Sequence, residues 1–104
     1  MGLIAATVTK QYLIAYKNEL EYKMILIKQA KFGLSDSVNE LLNVGTDMDP
    51  ENPMVKQLEQ RKERLNLLEK KLDMQLEEYE TRLKMVDAGF KQCDEMISGA
   101  IKGG

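Results

Sequence analysis

The only two prolines of the chain stand three residues apart near its middle, and they limit what it can fold into. Each proline drives the preceding residue out of the α region, so Pro50 and Pro53 together interrupt any helix. Gly45 fits a left-handed helix terminator before them. Asn52 fits the N-cap of a following helix that has Pro53 at its first position. The spacing therefore predicts a turn over 45–52 between two long segments.

The segment after the turn, 53–101, carries the strongest helical pattern. Its apolar residues recur at alternating steps of three and four, with Arg61 filling one polar position. Two consecutive steps of four, Leu68 to Leu72 to Leu76, predict a local stutter. The opposite face is charged. The predicted core positions of this helix are Leu58, Leu65, Leu68, Leu72, Leu76, Tyr79, Leu83, Val86, Phe90 and Ile97.

The segment before the turn, 4–44, is predicted to be a helix with two apolar stripes. Gly33 is a weak point, where we expect a kink or a short break. One stripe suits the contact with the second helix and consists of Leu13, Tyr16, Leu20, Met24, Ile27, Leu34, Val38 and Leu41. The second stripe lies off that face and consists of Tyr12, Ile14, Tyr22, Ile25, Leu26 and Phe32.

This second stripe predicts assembly. A hairpin partner covers only one stripe, and six exposed large side chains exceed the apolar patch that soluble monomers usually tolerate. Burial of each is worth roughly 1.5–3 kcal/mol, so the stripe could contribute on the order of 10 kcal/mol to an interface. We therefore expect an all-α, antiparallel, coiled-coil-like two-helix hairpin. It would pack against copies of itself or dock into another protein.

Composition argues against several functional classes. The 15 basic and 17 acidic residues give a net charge of −2, without the basic excess of a nucleic-acid-binding domain. The absence of histidine removes the commonest general base and metal ligand. Cys93 lies on the core stripe, which favours a buried small hydrophobe. Asp47, Asp49 and Glu51 alternate as at the start of a calcium loop, but the required glycine and distal glutamate are missing. We expect no catalytic, cofactor or metal site, and no enzyme.

The first residues of the chain are apolar but carry no basic stretch, and Lys10 interrupts them. They are too short for a membrane span and poorly built for a cleaved signal peptide. We therefore expect no stable membrane insertion, and any export to proceed without such a peptide. A membrane-surface helix is disfavoured because Glu19 and Glu21 partly oppose the lysines of the first helix.

The turn and the start of the second helix resemble the central signature of type III secretion needle subunits. Pro50 and Pro53 match the prolines of that Pro-x-x-Pro turn, Glu51 and Asn52 its middle pair, and Leu58 a later apolar position. Such subunits are small helical hairpins that polymerise helically around a lumen and lack cleaved signal peptides. The resemblance implies an extracellular or cell-surface location on a bacterium. It also implies copies of the chain, a secretion chaperone or a tip protein as partners.

The chain departs from that family in three respects. Its second helix is longer and more heptad-like, its last residues lack the usual aromatic-containing terminus, and its first helix is more hydrophobic than that of a needle subunit. The leading hypothesis is a self-assembling structural subunit of an extracellular helical filament, needle or tube, built through contacts that do not close. The alternative is a coiled-coil adaptor or secretion chaperone, cytoplasmic in that case, that binds a partner protein through the first helix.

Overall fold

The computed structural model describes residues 2–46 and 48–103, which form two α-helices and no strand. Helix α1 spans Leu3–Thr46 and helix α2 spans Pro53–Gly103. The predicted all-α helical hairpin is confirmed. Helix α2 begins at the predicted residue, and the other helix ends lie one or two residues beyond the predicted ones.

Hydrogen bonds among its described residues hold the turn before α2. The Asn52 N–H donates to the carbonyl oxygen of Asp49 at 2.9 Å, which places Pro50 at the second position of a β-turn, where its fixed φ is favourable. The Glu51 N–H donates to Asp49 Oδ1 at 3.1 Å. The Met54 N–H donates to Asn52 Oδ1 at 3.0 Å. Asn52 is therefore the N-cap of α2, as the sequence predicts.

The predicted role of Gly45 as a helix terminator is wrong. Gly45 lies inside α1, which continues to Thr46, and no described glycine has the positive φ that such a terminator requires. The helix also continues through Gly33 without a break. A glycine costs a helix only about 1 kcal/mol relative to alanine, which the packing of neighbouring residues such as Leu34 offsets. Because α1 ends at Thr46, the turn that was predicted over 45–52 begins after Thr46.

The chain packs as two compact units. The first combines residues 1–24 with residues 77–104, and the second comprises residues 25–76. In the first unit the buried apolar side chains are Ala6, Leu20, Met24, Val86 and Cys93, with Leu13, Tyr16, Tyr79, Leu83, Phe90 and Ile97 half-buried beside them. Gly89 permits close helix packing here, because a Cβ at that position would lie 3.0 Å from Leu13 Cδ1. Cys93 is thus a buried small side chain, as expected.

Among the described residues, the second unit has fewer fully buried apolar side chains than the first. Ile27 is its buried apolar residue. The half-buried apolar side chains of this unit include Leu34, Val38, Leu41, Val55, Leu58, Leu65, Leu72 and Leu76. Most of its apolar side chains therefore keep some contact with water.

The covered face of α2 follows an uninterrupted heptad pattern, so the predicted stutter is absent. Leu68 is 45% exposed and does not belong to the core, and Arg61 is also exposed. Lys62 and Glu69 are half-buried and occupy the covered positions that the prediction gave to Arg61 and Leu68. They restore the alternation of three and four on either side of Leu65. Long charged side chains can cover apolar surface with their methylene stems while the charged group stays in water, which is why polar residues fit here.

Lysines occupy three of the covered positions of α1, each facing a carboxylate of α2. In the first unit Lys10 Nζ lies 2.6 Å from Asp94 Oδ1, and Lys17 Nζ lies 3.1 Å from Asp87 Oδ1. In the second unit Lys31 pairs with Asp73. All three lysine side chains are 29–38% exposed, so the pairs lie at the edge of the helix contact. Such pairs orient the helices more than they stabilise them.

Candidate assembly surface

The side chains predicted to mediate assembly are all exposed. Their fractional exposures run from 45% for Ile14 and Leu26 to 73% for Phe32, with Ile25, Tyr22 and Tyr12 in between. Helix α2 therefore does not cover them within either unit. The first unit holds Tyr12, Ile14 and Tyr22, and the second holds Ile25, Leu26 and Phe32, so each unit presents its own exposed apolar group.

In the first unit the exposed group adjoins an apolar groove between the helices. The groove is lined by Tyr12, Leu13, Tyr16, Arg82, Met85 and Val86. The rings of Tyr12 and Tyr16 lie parallel, 6.4 Å apart between centroids. Arg82 Nη2 donates a hydrogen bond to Glu78 Oε1 at 2.5 Å. The Arg82 guanidinium also lies 5.7 Å from the centroid of the Tyr79 ring. The one cation of the groove is therefore already engaged, and its walls are available to apolar side chains.

In the second unit the exposed group forms a shallow depression on α1 alone. Its lining consists of Ile25, Lys28, Gln29 and Phe32. Nearby, the hydrogen bond from Lys31 to Asp73 raises the pKa of the Lys31 amine above its ordinary value of 10.5. Lys31 therefore stays charged and paired at neutral pH, whereas the depression beside it is mainly apolar.

The exposed apolar surface extends further toward the start of α1 than predicted. Leu3, Ile4 and Val8 are 43%, 80% and 59% exposed. The signal was present in the sequence, because Ile4, Val8 and Tyr12 follow one another at steps of four. Helix α2 also exposes Leu67, Met74 and Met85, which lie outside its predicted apolar stripe.

Within 2–46 and 48–103 no three side chains of the metal-ligating types are grouped as a metal site would require. Neither described helix contains a stretch with the length and hydrophobicity of a bilayer-spanning segment. Asp49 and Glu51 of the acidic turn lie in the described part, and Asp47 lies outside it.

Comparisons with protein-family models, curated proteins and solved structures give no match for this chain.

Proposed function

We propose that this chain is a self-assembling structural subunit of an extracellular helical filament, needle or tube, of a type III secretion-like system. The observation that carries the proposal is the exposure of six large apolar side chains on α1, each between 45% and 73%, in a hairpin that leaves them uncovered. Surfaces of this kind on small soluble proteins mark sites of contact with other molecules.

The distribution of these side chains favours a polymer over a closed complex. Each compact unit carries its own exposed group, so one subunit exposes large apolar side chains in both units. An open polymer needs every subunit to contact more than one neighbour, whereas an adaptor or chaperone needs a single docking surface. The Pro50–Pro53 turn also resembles the turn of secretion needle subunits. The secretion-like setting and the extracellular location in this proposal rest on that resemblance.

The test is negative-stain electron microscopy of the purified chain over a concentration series. The wild type is expected to form uniform filaments or tubes above a critical concentration. Replacing both Ile25 and Leu26 by aspartate should abolish them while leaving helical circular dichroism unchanged. Each replacement removes apolar contact and places a charge in the interface, so the critical concentration should rise roughly 100-fold or more.

A matched control adds the same two charges elsewhere in the second unit. Gln57→Asp and Gln60→Asp change exposed residues near the start of α2, and this double variant should assemble like the wild type. Assembly of the Ile25/Leu26 variant at wild-type concentrations would show that these two residues do not lie in the interface. Discrete small particles of wild type at every concentration would overturn the filament and favour the adaptor or chaperone.

A further inference from the structure

The first four turns of α1 present an outer face without a free charge. Between residues 2 and 18 the charged side chains are Lys10 and Lys17, and both are engaged by aspartates of α2. The two threonines of this stretch are also satisfied locally. Thr7 donates to the carbonyl oxygen of Leu3 at 2.8 Å, and Thr9 to that of Ala5 at 2.9 Å.

The residues opposite the covered positions share one continuous face. They recur at helical spacing as Ile4, Val8, Gln11, Tyr12, Ala15 and Asn18, and all six are exposed. Three of them are large and apolar, and the other three are small or neutral polar residues. This set is called the neutral face below.

The partner of the neutral face must itself be uncharged, because a charge buried against it would find no counter-charge and would lose its hydration. The exposed surface of α2 in the same unit does not meet this condition. It carries Glu77, Glu80, Lys84, Lys91 and Glu95, all exposed. Anionic lipid is also a poor match, since surface-binding helices attract lipid headgroups through free lysines and arginines.

We infer that the neutral face packs against the neutral face of a second copy of this chain. The contact joins α1 to α1, so the charged surface of α2 stays in contact with water. This inference rests on the proposed self-assembly and specifies it, because it names which helix meets which. A contact between two identical faces joins only two chains and cannot extend a polymer by itself. The exposed apolar group of the second unit, around Phe32, then supplies the contact that extends the polymer.

The test is cysteine cross-linking of the full chain in a Cys93→Ala background, with a bismaleimide reagent. Gln11→Cys and Ala15→Cys place single thiols on the neutral face, and Glu77→Cys is the matched control on the outer surface of α2. All three positions are exposed, so the fold should tolerate the changes. We expect covalent dimers from the two α1 variants under assembling conditions and little dimer from the control.

A second variant tests the chemistry of the face. Adding Ala15→Glu to the Gln11→Cys chain should lower the yield of dimer roughly tenfold, because the new carboxylate has no partner there. A yield that this charge leaves unchanged would overturn the inference.

The outcomes separate this inference from the proposed function. Filaments without α1 cross-links would overturn the α1–α1 contact and leave the filament standing. Cross-linked dimers without filaments would support the contact and overturn the filament. Flotation with vesicles of mixed neutral and anionic lipid, in the absence of cross-links, would assign the face to a membrane surface and overturn the inference.

Discussion

Replacing Leu20 and Leu68 separately by alanine tests whether Leu68 belongs to the core of the helix contact. The sequence predicts a core position for both leucines, but only Leu20 is covered in the structure. Leu20 is 2% exposed and is the largest fully buried side chain described, whereas Leu68 is 45% exposed. Truncation of a fully buried leucine costs about 2–5 kcal/mol, and a two-helix contact can partly collapse around the cavity, so we expect about 3 kcal/mol for Leu20→Ala. Leu68→Ala forfeits only part of a transfer free energy and leaves no cavity, so we expect about 1 kcal/mol or less.

The assay is urea unfolding followed by circular dichroism, with both variants made in the Ile25→Asp, Leu26→Asp background. That background separates folding from assembly, which would otherwise stabilise the folded chain by mass action. The free-energy differences correspond to a fall in Tm of roughly 12–24 °C for Leu20→Ala and less than about 8 °C for Leu68→Ala. Equal losses at the two positions would refute the uninterrupted heptad and restore the stutter at Leu68.

Two further predictions concern the turn and one ion pair. Asn52→Ala should lower the free energy of unfolding by about 1 kcal/mol in the same urea titration, because the Met54 N–H loses its acceptor. Asn52→Asp should retain most of the stabilisation from the N-cap, because its carboxylate can accept the same hydrogen bond. The raised pKa of Lys31 means that the stabilisation from its pair with Asp73 is complete below pH 10.5 and is lost as the pH rises through the folded-state pKa. Thermal unfolding between about pH 9 and pH 12 should therefore show a steeper fall in Tm for the wild type than for Asp73→Asn, and parallel curves would contradict this pairing.

The apolar periodicity sufficed to predict both helices, the turn between them and the exposure of the second stripe of α1, but it missed the exposure of Ile4 and Val8. It misplaced part of the covered face of α2, because a stripe drawn through apolar residues alone selects Leu68 over Glu69. A half-buried glutamate or lysine is favourable only where its stem packs and its charge reaches water, which depends on the opposite helix. The same limit applied to Gly45, since a glycine ends a helix only when the following chain draws it into a positive φ.

The ion pairs between the helices could not be assigned from sequence, because the pairs of the first unit alone are compatible with more than one position of one helix along the other. In the first unit Lys10 pairs with Asp94 and Lys17 with Asp87, one heptad apart on both helices. A slip by one heptad would set Lys10 opposite Asp87 and Lys17 opposite Glu80, so the two pairs of the first unit are compatible with both registers. The same slip would set Lys31 of the second unit opposite Asn66, which carries no charge, so the Lys31–Asp73 pair favours the observed register. Such a slip would also require the turn to absorb or release whole turns of helix, so the capped turn favours the same register.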